Sequence, residues 1–441
     1  MFDKSRSRRI LALLVSAMLI MTFLAACSSG GQSPAASTQP SASAKPSESA
    51  KPAESAKPSA SASASASASA PAATKNPIKL GVILTMSGPI GAIGQKDLVG
   101  TQMAVDEINA AGGIMGRQVE IVQRDDAGDP TKALTAAQEL VEKQGITVII
   151  GPTLSSPGLA MAPYLTEAKA LQLGSPASDA MNDPQKYPYA FSNSVPNSVQ
   201  GVVLVKYATE VMKTTKIGII GESAAYGQSA IGAYKQELQK KNLQPLAVEQ
   251  YPQGAQDMTT QLNNLKKAGV EAILSASLAA DSMRIIKNLT SMGWDVPFLG
   301  NVELGTPAVI EGAGGAAAMK SVYAIGYPKW SFNDKTPISA KTKDVAAKLM
   351  KKYNATTLTE SPNMQLQFYD IVYILKQAIE KAQSTEGPKV TAAIEQIGTF
   401  EGVLATSVFS KTDHFGPGLE DQVMVKAGSL KDGFFELAPG Y

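Results

Sequence analysis

Four short stretches of small and hydroxyl-bearing residues hold most of the chemistry this sequence can offer. They are Thr85-Met86-Ser87-Gly88, Gly151-Pro152-Thr153-Leu154-Ser155-Ser156, Gly174-Ser175-Pro176-Ala177-Ser178-Asp179 and Gly221-Glu222-Ser223-Ala224-Ala225-Tyr226-Gly227. Each follows a short apolar run. Hydroxyls and backbone N–H groups are donors, so loops of this kind suit an anion such as a carboxylate. Ser155-Ser156 also precedes a helical pattern, whose free first-turn N–H groups add to the attraction.

Other chemistries are excluded. One Cys and one His, His414, leave no internal disulfide, no multi-His metal site and no Cys/His finger. A hydrolytic triad would need His414 itself, and no nucleophile–base motif is visible around it, so no enzyme is expected. Gly88-Pro-Ile-Gly91-Ala-Ile-Gly94 has GxxGxxG spacing, not the GxGxxG of dinucleotide sites, and no phosphate-loop motif occurs. No cofactor is expected. Asp125 and Asp126 read as a turn with structural hydrogen bonds, and Asp129-Pro130 as a helix start. Lys and Arg total 40 against 38 Asp and Glu, a balance unlike the basic surface a nucleic acid requires.

The elements that position these loops alternate. Ile78–Leu84, Val119–Arg124, Thr147–Ile150, Leu171–Leu173, Lys216–Ile220, Ala272–Leu274 and Val322–Ile325 read as strands, with helices between them such as 95–110 and 131–143. Near-continuous apolar strands in a strand–helix rhythm imply parallel sheets covered on both faces. The 366 residues from Asn76 suit two doubly wound α/β sheets rather than one. Ligands of such sheets sit beyond the carboxyl ends of the strands, where the four loops lie. Further on, 329–352 and 365–381 read as helices, and Tyr327 and Trp330 as core or surface packing, with lining of the cleft by the hinge as the second reading.

The front of the chain differs. Lys4, Arg6, Arg8 and Arg9 precede a 17-residue, mostly apolar run, Ile10–Ala26, too short for a comfortable span and laid out as a secretory signal. Its end, Leu24-Ala25-Ala26-Cys27, resembles the bacterial lipobox, which implies lipidation of Cys27 and attachment to the outer face of the cell membrane. Ser28–Lys75 follows, with 15 Ser, 15 Ala and 6 Pro in 48 residues. It reads as a disordered tether spanning about 35–40 Å end to end.

The string MSGPIGAIGQKDLVGTQMAVDEINAAGGIMGRQVEIVQRDDAGDP, Met86 to Pro130, resembles the first lobe of the Leu/Ile/Val-binding family, the type I solute-binding proteins of ABC importers. Similarity continues through Ile149-Ile-Gly-Pro152, Ser155-Ser156, Ser175-Pro176-Ala177 and Tyr226-Gly227-Gln228. The resemblance implies two lobes joined by three crossovers and closing on a solute. Residues 76–196 and 328–405 form lobe 1; 197–327 and 406–441 form lobe 2. It further implies an amino acid or small carboxylate as solute, permease subunits as partners, and a monomer. A sensor acting through a membrane receptor is the alternative.

The family's site residues map onto this chain as follows. Ser155 takes the hydroxyl on the ligand carboxylate. Ala177 and Ser178 take the segment at the ligand's backbone part, although SPASD leaves Ser178 or Asp179 for the hydroxyl place. Tyr226 takes the covering aromatic. Ser87 and Leu278 stand in the remaining strand-end loops. An ungapped match puts Val302 where amino-acid binders carry the ammonium-binding acid, with Glu303 one position later. Glu303, Glu222 or Asp281 could stand in.

Overall fold

The computed structural model describes residues 76–441. The signal segment, Cys27 and the tether lie outside these residues.

The first half alternates up to its last strand: β1 (Ile78–Leu84), α1 (Gly91–Ala110), β2 (Val119–Asp125), α2 (Pro130–Gln138), β3 (Val148–Ile150), α3 (Ser155–Ala168) and β4 (Leu171–Gly174), then β5 (Ala190–Ser192) with no α-helix before it. These strands form one parallel sheet in the order β2-β1-β3-β4-β5. The inner strands are buried on both faces, whereas the edge strand β2 is partly open, with Glu120, Gln123 and Asp125 exposed. α2 starts where Asp129 accepts from the Thr131 N–H (2.7 Å) and Pro130 fills the first turn. α1 starts four residues earlier than its periodicity suggests, at Gly91.

The chain then builds a second sheet with α4 (Asn197–Lys206), β6 (Ile217–Glu222), α5 (Ala225–Lys240), β7 (Ala247–Tyr251), α6 (Thr259–Lys267), β8 (Ala272–Ala276), α7 (Ala279–Ser291), β9 (Phe298–Gly300), α8 (Pro307–Ala313), β10 (Val322–Gly326) and β11 (Ser331–Phe332). Next come α9 (Ala340–Lys352), α10 (Asn363–Ala382), α11 (Gly387–Ile394), the short hairpin β12 (Thr399–Glu401) and β13 (Thr406–Val408), then β14 (Val423–Lys431) and β15 (Phe434–Leu437). The second sheet has the order β11-β15-β14-β10-β9-β8-β6-β7.

Three expectations need correction. The second sheet is mixed rather than parallel: β14 runs antiparallel to β10, and β15 to β14. The β14–β15 turn is Asp432-Gly433, both at positive φ (52° and 86°), the turn chemistry of a tight hairpin. The expected helix at 329–352 begins only at Ala340, because Ser331–Phe332 pairs with β15. Third, residues 406–418, expected in the second lobe, stay with the first. Phe415 bridges Ser192 at the edge of β5, and Phe409 belongs to the core formed by β1, α1 and α10.

That core is held tight by α10 lying on α1. A Cβ at Gly100 would come within 1.8 Å of the Gln365 carbonyl oxygen, so the helices meet at backbone contact. Two further apolar cores flank the second sheet.

Candidate functional site

The ends of β3, β4, β8 and β9 face one crevice between the two sheets. It encloses about 660 Å³ not filled by protein atoms, part of it open to solvent. The turn after β3 needs Gly151: its φ is +113°, and a Cβ there would lie 2.0 Å from the Ile83 carbonyl oxygen. This turn delivers Thr153, Leu154 and Ser155 to the crevice wall. Ser155 opens α3, a helix with no side-chain cap. Its Oγ accepts from the Ser178 N–H at 3.2 Å, which fixes the hydroxyl over the first turn. Uncapped N–H groups and an oriented hydroxyl are an arrangement that suits an anion.

The opposite wall comes from the second sheet. Tyr226, in the first turn of α5, is 7% exposed and its hydroxyl accepts from Asn301 Nδ2 at 2.9 Å. Burial pushes the Tyr226 hydroxyl well above its ordinary pKa, so it remains a neutral O–H. Leu278 meets Leu154, Ala177 and Tyr226 in an apolar contact between the two walls. Glu303 sits in a short turn after β9, where its Oε2 accepts the Ala279 N–H at the start of α7 (2.5 Å). Burial raises its pKa to about 7 despite that bond.

Of the seven residues expected at the site, Ser155, Ala177, Tyr226, Leu278 and Glu303 line this crevice. Ser178 does not: it is buried, and its N–H is spent on Ser155. Asp179, the other candidate for that place, is used elsewhere, accepting from the Ser198 N–H and from Ser229 Oγ. Ser87 is exposed and lies off the crevice, beside Asp125. Cys27 lies outside the described residues.

Of the three stand-in acids, only Glu303 faces the crevice. Both Glu222 oxygens are committed to the start of α5, accepting from Ala224 and Gly227 N–H (2.6 and 2.8 Å). Asp281 pairs with Arg284 (2.8 Å) and lines an adjoining hollow. Val302, at the position of the family acid, lines the crevice as an apolar residue. His414 is stacked on Phe191 with ring centroids 3.7 Å apart and lines no part of the crevice.

Sequence reasoning ranked one contributor second and missed others. Tyr327 lines the crevice, while its neighbour Trp330 is fully buried. Gln200, Gln367 and Gln422 line it too, from three distant segments. Behind Thr153 lies Asp97 of α1, which accepts from Thr153 Oγ1 (2.7 Å) and is held well above the usual carboxylate range by burial. No basic side chain lines the crevice among the described residues.

Residues 77–423 match the model of the periplasmic binding protein family. The chain belongs to that family. Its members bind solutes and are not enzymes. This binding protein is 25% identical over 336 residues to a Leu/Ile/Val-binding protein homolog of Brucella melitensis, spanning 76% of this chain and 88% of the relative. Its 29% identity with the Leu/Ile/Val-binding protein of Escherichia coli K12 covers 51% of this chain and 60% of the other. A type 1 periplasmic binding protein from Bordetella pertussis superimposes with a TM-score of 0.73 at 27% identity, covering 82% of this chain and all of that one. The branched-chain amino acid binding protein of Streptococcus pneumoniae, solved with isoleucine, shares the fold at a TM-score of 0.70 and 23% identity, over 82% of this chain and 99% of that one. The fold is thus that of type I periplasmic binding proteins. No helix among the described residues is long and apolar enough to cross a membrane.

Proposed function

We propose that this protein captures an amino acid, or a closely related small carboxylate, in the crevice between its lobes and delivers it to the permease of an ABC importer. Lipid on Cys27 holds it at the outer face of the cell membrane, and the Ser/Ala/Pro tether gives it reach. The observation that carries the reading is the pairing of two unlike ends in one crevice. The uncapped start of α3 with Ser155 suits a carboxylate, and the buried Glu303 carboxyl suits an ammonium. An amino acid needs partners for both charges, since burying either one alone costs several kcal/mol.

Calorimetric titration of the purified chain against the common amino acids and small carboxylates tests the binding. Saturable heat with a compound carrying both groups supports it, and silence across the panel rejects it. Attachment is checked separately, with Cys27→Ser expected to shift the protein from the membrane to the soluble fraction.

A further inference from the structure

Away from the crevice, α9 carries five lysines and one acid, Asp344, a net of +4 in 13 residues against +2 for the whole chain. Its apolar side is taken up by the fold: Ala346 and Leu349 are buried in the core around Trp330 and Leu366. Helical spacing then turns Lys341, Lys343, Lys348 and Lys351 outward, and all four are exposed. Few carboxylates answer them. Asp344 lies 3.6 Å from Lys348, and Asp106 of α1 lies 3.5 Å from Lys352. Lys341, Lys343 and Lys351 have no ion pair among the described residues. Tyr353, next in the chain, is 43% exposed. Clustered lysines beside an exposed tyrosine suit the charged boundary of a membrane.

This face lies near the point where the chain from Cys27 enters the body. The Asp106–Lys352 pair sets the end of α9 against α1. One helical turn further along α1, Asn109 exchanges hydrogen bonds with the Val119 backbone (2.7 and 2.9 Å), and Val119 pairs with Ile78 at the start of β1. Arg117 holds the Asn76 and Pro77 carbonyls just before it (2.6 and 3.1 Å). We propose that the lysine face of α9 docks on the anionic lipid headgroups of the membrane that carries the protein, and so seats the tethered body in one orientation. The proposal rests on the membrane attachment assigned to Cys27, which the Cys27→Ser fractionation tests by itself.

Cosedimentation with vesicles tests the face, using the mature chain from Cys27 made without lipid, so that anchor and face can fail separately. Vesicles of phosphatidylglycerol and phosphatidylcholine in equal parts should bind it at least about tenfold tighter than phosphatidylcholine alone, with the excess lost at about 1 M salt. A lysine near an anionic surface contributes on the order of fivefold, so joint Lys341→Gln, Lys343→Gln and Lys351→Gln should weaken binding about a hundredfold. The pair Lys343→Gln and Lys351→Gln repeats the comparison should the triple variant melt below the parent. Lys235→Gln, Lys267→Gln and Lys320→Gln remove the same charge from exposed positions around the second sheet and should leave binding as it is. Equal binding to both kinds of vesicle overturns the proposal. Equal weakening by the two triple variants overturns the role of α9, since the charge of the whole chain then suffices. Tighter binding to soluble polyphosphate than to anionic vesicles, lost in the α9 variant, overturns the membrane as the occupant.

Discussion

A carboxyl group with no basic neighbour in its crevice is in conflict with its surroundings, and Glu303 is such a group. Its pKa of about 7 lies above the ordinary 4.5. Between these values the folded protein keeps a proton that the unfolded chain releases. Stability therefore falls as pH rises from about 4.5 to about 7 and levels off above. Glu303→Gln cannot ionise, and its amide oxygen still accepts the Ala279 N–H. The variant should melt above the parent at pH 8 and with it at pH 4.5; parallel melting curves across this range would refute the assignment. Binding of an ammonium should likewise tighten through pH 7 in the parent and lose that dependence in the variant. The proposed site assigns Ser155 and Tyr226 to the other charges and surfaces of the solute. Ser155→Ala and Tyr226→Ala should each weaken binding by about 1–3 kcal/mol in calorimetry, and unchanged affinity in both would remove them from the site.

At the scale of elements, α5 depends on an acid the sequence offered as a ligand contact. Glu222 accepts the N–H of Ala224, just before α5, and of Gly227 in its first turn, so Glu222→Ala should cost about 0.5–2 kcal/mol of stability with little change in denaturant slope. A changed slope would point to lost structure rather than a lost cap. The same acid shows what the chain reveals in one dimension. The strands were legible because each apolar run is local and each is followed by its own loop, so spacing and resemblance could point to Ser155 after β3 and Tyr226 after β6, both of which line the crevice. Glu222 and Asp179 looked like ligand groups because nothing local says that a carboxylate will turn back onto a helix start. β11 was hidden because its partner β15 lies about a hundred residues away. The three glutamines are common residue types on helices and a loop, and only the meeting of α4, α10 and the strand leading into β14 makes them a group.

At the scale of the molecule, the proposed capture by lobe closure makes affinity depend on how often the lobes stand closed. Asp179 lies after β4 in the first lobe and Ser229 on α5 in the second. The Asp179 N–H donates to Ser229 Oγ at 3.0 Å, and the Ser229 hydroxyl donates to Asp179 Oδ2 at 3.2 Å. Neither residue lines the crevice. If the lobes close on the solute as proposed, such a latch stabilises the closed arrangement without touching the solute, and a solute that binds that arrangement is held more weakly when it is less populated. Each hydrogen bond contributes about 0.5–1.5 kcal/mol, so Ser229→Ala should raise Kd several-fold. The loss should appear as faster dissociation, with the melting temperature of the solute-free protein nearly unchanged and its radius of gyration slightly larger by X-ray scattering. If Ser229→Ala leaves both Kd and the scattering profile as they were, closure is governed elsewhere, and the apolar meeting of Leu154 and Ala177 with Tyr226 and Leu278 becomes the element to alter next.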